Sequence, residues 1–282
     1  MIRLYPLHIL CLLGFLVLNI AHLFSVKEIV KLLPNAFLLQ SWIPIKGIYF
    51  SGNAVSWCLA DMMFFYAMFP LLAKLLNRGG VKKICSWFVP MLGIYFFIMV
   101  FLPSAYCHPL LYISPAFRLI DFFIGMLTYK VYHEIESKVW KDRIVACSYA
   151  QKSFIEILLV LFLTVTIMAV PYIEMRYYCA ALWWLIMPEI ILYFALVNES
   201  GGVIFSYLKS RWMIALGEIS FSLYMIHYMG IPVLHFIFNK LGLNMIWQAE
   251  FSVSFLIILF VSYLVYHYYE NPISSFLKKK LI

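Results

Sequence analysis

The sequence predicts an all-α, polytopic transmembrane helical bundle of about eight spans with both termini cytoplasmic, and three observations carry that expectation. Hydrophobic residues make up 65% of the 282 and charged residues 12%, with a mean hydropathy of +0.93. Soluble domains hold about 45–50% apolar and about 25% charged residues, so a soluble or disordered chain is excluded. Apolar runs of about 20 residues, each long enough to cross about 30 Å of hydrocarbon as a helix, recur along nearly the whole length. Basic residues alternate in abundance from loop to loop, as they do when cytoplasmic loops hold the excess of Lys and Arg. A β-barrel would show segments of about 10 alternating residues. A signal peptide would be one short apolar stretch ahead of soluble sequence. Neither pattern is present.

Apolar runs and their polar breaks place the spans at about 4–24, 53–76, 84–102, 116–133, 153–171, 177–197, 212–237 and 248–269. Between the first two, Lys27 to Gly52 contains an apolar piece around Phe37–Ile43 that is too short to span. Trp42, Pro44 and Gly47 there suggest an interfacial or re-entrant segment. The longest polar stretch, Tyr132 to Ser153, makes only a loop, and no internal repeat occurs. A single membrane domain over residues 1–282 is expected.

Placing both termini inside assigns to the cytoplasm Arg3; Lys74, Arg78, Lys82 and Lys83; Lys130, Lys138, Lys141, Arg143 and Lys152; Lys209 and Arg211; and Lys278, Lys279 and Lys280. Only Lys27, Lys31, Lys46, Arg118, Arg176 and Lys240 remain outside. The net charge of +8 is therefore a record of orientation and of contact with anionic lipid, and it gives no support to nucleic-acid binding. The six cysteines stand singly, mostly in apolar runs, without metal-ligand spacing, and read as small core residues. No metal is expected.

A charge at the centre of a spanning helix costs about 2.5–3.5 kcal/mol, so such residues face a protein interior or a wet cavity and are usually paired. On the second span, Trp57 and Asp61 line either a substrate cavity or a helix contact. Arg118 and Asp121, three residues apart at the outer end of the fourth span, share a helix face at ion-pair distance, and a guanidinium fork beside a carboxylate suits sugar or carboxylate recognition. The same pair could instead only anchor a helix end. On the seventh span Ser220, Tyr224 and His227 form a polar line. His227 can serve as an acid or base, or as a hydrogen-bonded packing residue. Glu270, near the end of the last helix, opposes the helix dipole and calls for a cationic partner. Pro272 is expected to end that helix. His8 and Glu189 read as local hydrogen-bonding groups.

Arg3-Leu4-Tyr5-Pro6-Leu7-His8, Gln40-Ser41-Trp42, Trp57 to Tyr66 followed by Phe69-Pro70, Arg118 to Gly125, Gly217 to His227 and Tyr268 to Pro272 occur in one order. That order, covering nearly the whole chain, resembles membrane acyltransferase family 3, the integral-membrane O-acyltransferases of cell-envelope polysaccharides and other extracytoplasmic glycans. The resemblance implies transfer of an acyl group, usually acetyl from acetyl-CoA on the cytoplasmic side of the plasma membrane, to a hydroxyl of an outer glycan. On that reading Arg3 meets the CoA phosphates and Glu270 holds Arg3. Arg118, Trp57 and Asp61 bind the acceptor, and His227 and Asp121 take the catalytic roles, His227 polarising or positioning the thioester.

The sequence departs from the family pattern in two places. Two helices that precede the Arg-x-Tyr-Pro motif in the family, one carrying an Arg and the base His, are absent from it. Where the family has Glu in the second span this chain has Met62, with Asp61 one residue out of register, a turn of about 100°. The remaining intramembrane histidines, His8, His22, His227 and His235, lie outside the family's catalytic context. The 282 residues expressed alone are thus expected to have little or no activity. The alternatives are an inactive remnant or membrane scaffold, and a transporter of glycan or acyl intermediates, although the paired repeats of many transporters are missing. A second membrane O-acyltransferase family, built on an Asn and His pair, fits less well.

Overall fold

The computed structural model describes residues 2–19, 26–136, 139–179, 181–197, 200–243 and 245–281. His22 and Lys138 lie outside the described residues. Among those described the chain is helical throughout, with no strand. Five helices are long and apolar enough to cross a membrane: Ala54–Asn77, Lys83–Phe101, Tyr149–Tyr172, Arg211–Lys240 and Trp247–Lys280. A sixth crossing is formed if Ser104–Ile113 and Pro115–Glu134, bent by 50° at their junction, act as one. The other two expected spans correspond to shorter apolar helices, Leu4–Leu18 and Ala181–Leu196. A helix of 15 residues rises only about 22 Å, less than the hydrocarbon thickness.

Two sequence expectations need correcting. The stretch 177–197 is not one regular helix. A 3-10 turn at Ala181–Leu185 precedes the helix Met187–Leu196, in whose first turn Pro188 sits. Pro188 lacks the N–H and the freedom that an uninterrupted helix would need there, and it tolerates a first turn well. Pro272 does not end the last helix either. Trp247–Val265 passes through a π-turn at Tyr266–Glu270 into the helix Asn271–Leu281. Asn271 keeps helical angles (φ −68°, ψ −46°) although it precedes Pro272. The wider π-turn shifts the hydrogen-bond register, and Pro272 falls in the first turn of the following helix, where a missing N–H costs nothing.

The stretch after the first helix holds the short amphipathic helix Val26–Ala36, a 3-10 turn at Gln40–Trp42, one helical turn at Lys46–Tyr49 and a 3-10 turn at Ala54–Ser56 that feeds the helix Trp57–Asn77. No piece of it is long enough to span.

Contacts divide the chain into two compact units. One comprises Met1–Met63 with Arg211–Ile282, the other Phe64–Ser210. The first is built on the antiparallel pair Arg211–Lys240 and Trp247–Val265, with Leu4–Leu18 packed on the former. Its buried core includes Leu7, Cys11, Leu38, Leu59, Ala60 and Met225. The second packs Pro115–Glu136 against Met187–Leu196 and Tyr149–Ala169 against Val203–Leu208, around Leu72, Ile84, Tyr95, Met99, Leu111 and Phe123.

Polar side chains close the helix ends. Ser148 and Gln151 form a capping box at Tyr149–Ala169. Lys130 Nζ donates to the carbonyls of Leu76 (2.6 Å) and Gly79 (3.0 Å) at the end of Trp57–Asn77, and Arg176 donates to Val100 at the end of Val81–Phe101. Glu156, fully buried on Tyr149–Ala169, accepts from the backbone N–H groups of Gly202 (2.6 Å), Ile204 (2.8 Å) and Phe205 (3.1 Å). A spanning helix thereby fixes the start of the short helix Val203–Leu208.

Candidate functional site

In the unit formed by the two ends of the chain, the π-turn Tyr266–Glu270 carries Glu270, which is 2% exposed. A carboxylate so buried is costly unless both oxygens are engaged. Arg3, just ahead of Leu4–Leu18, brings Nε to 2.5 Å from Glu270 Oε1, and Ser222 Oγ donates to Oε2 at 2.5 Å. Arg3 Nη2 donates to the carbonyl of Glu218 at 2.7 Å, and its guanidinium stands 5.8 Å from the centre of the Tyr266 ring. Tyr269 OH donates to the carbonyl of Pro6 at 3.1 Å, tying the same two segments a second time. The two partners differ in access. The Arg3 side chain is 45% exposed against 1% for Glu270, so the assembly presents a cation outward.

Behind Arg3 lies a buried polar cluster. His8 Nε2 meets the carbonyl of Asn35 at 2.9 Å, and because a carbonyl only accepts, that nitrogen carries the proton. Asn35 Nδ2 donates to the carbonyl of Ser51 (2.6 Å) and to Ser56 Oγ (3.0 Å), and Gln40 Nε2 to the carbonyl of Ser56 (3.1 Å). Asn53 Nδ2 donates to the carbonyl of Met225 at 2.8 Å. Gly52 turns the chain between them at φ +64°, where a Cβ would stand 3.0 Å from Leu12 Cδ1. Trp57 opens the helix that follows, half-buried, and Asp61 is buried one turn further on.

His227 Nδ1 donates to the carbonyl of Tyr224, 2.7 Å away and one turn earlier. Ser220, Tyr224 and His227 share one wall of a cavity of about 360 Å³. Phe251, Phe255 and Ile258 on Trp247–Val265 make the other side mostly apolar, with Ser254 among them.

The second unit assembles the other candidate pair. The helix Pro115–Glu136 starts at a proline, a residue pre-set for the first helical position. Arg118 Nη1 lies 2.6 Å from Asp121 Oδ2 and also donates to the carbonyl of Cys179 at 3.1 Å. The 3-10 turn Ala181–Leu185 delivers Trp184, whose Nε1 donates to Asp121 Oδ1. Tyr112 lies 5.7 Å from the guanidinium. Both charged side chains remain about one-quarter exposed and line a cavity of about 240 Å³ with Gly125, Thr128, Trp183 and Trp184. Such a pair is neutral overall, offers donors and an acceptor side by side, and has the indole N–H of Trp184 on its carboxylate, the Trp184 ring packing against Tyr95 and Phe96.

Arg3 with Glu270, and Arg118 with Asp121, are thus brought together, each pair within its own unit, while His227 lines a cavity with Ser220 and Tyr224. Trp184, Tyr266, Asn35 and Ser56 were not legible as site residues. One signal existed for Trp184, since an indole N–H inside an apolar run needs an acceptor. Among the described residues no group of three or more His, Cys, Asp or Glu is placed to hold a metal ion.

The family model described as "Acyltransferase domain" matches residues 1–267. The chain is 26% identical over 268 residues to Acyltransferase MdmB of Streptomyces mycarofaciens, an alignment covering 88% of this chain and 64% of that relative. No solved structure matches.

Proposed function

The chain belongs to acyltransferase family 3, and from that premise we propose that it is an O-acyltransferase, moving an acetyl or other acyl group from acyl-CoA to a hydroxyl of an extracytoplasmic glycan. The chain spans 64% of the length of the curated relative, so the reaction is proposed for the family's protein as a whole. With the bent pair and the two shorter apolar helices counted as crossings, the bundle would pass through the plasma membrane eight times, with both ends inside.

The observation that carries this reading is the Arg118–Asp121 pair, held by Trp184 at the wall of a cavity. Asp121, with both oxygens engaged, fixes the direction of the Arg118 fork and the Trp184 indole. A sugar ring there would find Arg118 as donor, with Trp183 and Trp184 also lining the cavity. The exposed edge of Arg3 fits an anionic partner, because its charge faces outward while Glu270 is enclosed. There Arg3 would hold the CoA phosphates and Glu270 would keep it in place. His227, whose Nδ1 donates to the Tyr224 carbonyl, leaves an unprotonated Nε2, which would take up a proton beside the thioester or position it rather than polarise it.

The test uses membranes of the producing cell and of a strain lacking the gene, given acetyl-CoA labelled in the acetyl group. The proposal requires label on envelope glycan that disappears with the gene. Equal labelling of both strains would overturn it.

A further inference from the structure

A second cavity lies against the one beside Arg118 and Asp121. Ile124, Thr128, Trp184 and Pro188 also form part of the wall of a larger cavity, about 630 Å³, so the two adjoin. The larger one is lined mostly by apolar side chains, among them Phe88, Leu92 and Phe96 from Val81–Phe101, Leu127 from Pro115–Glu136, and Leu185 and Leu192, with Glu189 as its one carboxylate. From Arg118, at the polar end, to Val131, the last residue of Pro115–Glu136 to line the larger cavity, the helix advances about 20 Å. Along this helix a polar pocket and a longer apolar trough therefore lie side by side, overlapping from Ile124 to Thr128.

Neither half alone accounts for the other. A free, fully hydroxylated sugar has no use for the trough. A membrane phospholipid would put a phosphate against Arg118, but Asp121, 2.6 Å away, is as open to the cavity as Arg118 itself, unlike the enclosed Glu270 beside Arg3, so a phosphate would meet a carboxylate as well as the guanidinium. A neutral polyhydroxylated head matches a neutral Arg–Asp pair, since it donates to the carboxylate and accepts from the guanidinium, with Trp183 and Trp184 also lining the cavity. We infer that the acceptor is a glycolipid, its sugar in the smaller cavity and its hydrocarbon chain in the larger. The inference rests on the acyl-transfer reading for the word acceptor, and on the two cavities for the rest.

The test is photolabelling of the full chain in phosphatidylcholine vesicles. The probe is an alkyl β-glucoside with a diazirine in its alkyl chain, compared with the same chain bearing a phosphate or a bare hydroxyl. Label is expected within 88–96, 124–131 and 182–192, about tenfold stronger for the glucoside than for the other two heads, the ratio of one good polar contact. Arg118→Ala should abolish that preference. Leu127→Trp and Leu185→Trp, which fill the trough from two walls, should each lower labelling, while Leu161→Trp on the exposed side of Tyr149–Ala169 should not. Label spread over the lipid-facing helices regardless of head group would mean bulk lipid only and would overturn the inference. Labelling needs no turnover, so the two readings fail separately. Acetyl transfer to a soluble glycan with no label in the trough would sink the glycolipid, whereas labelled trough peptides without transfer would sink the enzymatic reading and leave the lipid-linked sugar site standing.

Discussion

Arg3 Nε lies 2.5 Å from Glu270 Oε1, joining the start of the first helix to a π-turn 267 residues later. Glu270 is enclosed and Arg3 is not, so the two sides of the pair answer differently to mutation. Arg3→Ala strands a buried carboxylate and should lower stability by about 1–3 kcal/mol, less than for a fully buried pair because Arg3 is partly solvated. Melting of the purified chain in detergent measures it. Arg3→Met combined with Glu270→Gln should recover most of the loss, and strict additivity of the two changes would contradict direct coupling.

Asp121 accepts from both Arg118 and Trp184, so its removal should loosen two side chains at once. Asp121→Ala is expected to weaken acceptor use more than Trp184→Phe, which keeps an aromatic face and loses one hydrogen bond of about 0.5–1.5 kcal/mol. Initial rates against acceptor concentration, in membranes carrying each variant, rank them.

Gly52 sits at φ +64°, with Leu12 and Asn35 where a side chain would begin. Gly52→Ala should cost about 1–2 kcal/mol in backbone strain alone. It should also disturb the Asn35 contacts, read as faster proteolysis of the stretch between Ala36 and Trp57.

Glu156 holds three backbone N–H groups at the start of Val203–Leu208. Glu156→Ala leaves those donors without their acceptor and should destabilise that segment by about 2–3 kcal/mol. Hydrogen exchange at Gly202, Ile204 and Phe205 should rise, with exchange in the Arg211–Lys240 helix unchanged.

Much of this was legible in the sequence because it depends on short-range pattern. Continuous apolar runs give helices, and the three-residue spacing of Arg118 and Asp121 gives an ion pair on one face. Glu270 was expected to have a cationic partner and has one in Arg3, although the helix end on which that expectation rested is instead a π-turn inside a continuing helix. What was not legible depends on register and on distant chain. A π-turn at Tyr266–Glu270 carries the helix past Pro272, and no local propensity marks where such a turn falls. Trp184 reaches Asp121 across 63 positions and Glu156 reaches Gly202 across 46, so neither partnership leaves a trace in spacing. Asn35, Ser51 and Ser56 look like ordinary loop residues until the stretch between the first helix and Trp57 folds back on His8.

The most direct test of acyl transfer at the Arg118 site is the rate of labelled acetyl transfer from acetyl-CoA to glycan in membranes of the producing cell, its native gene intact or carrying Arg118→Ala, rather than of a host given the 282 residues alone. The account predicts gene-dependent transfer in the wild type. In the variant it predicts an acceptor KM raised about tenfold or more, the loss of a charge-assisted contact, with the dependence on acetyl-CoA unchanged. Wild-type transfer with an unaltered acceptor dependence in Arg118→Ala would contradict it.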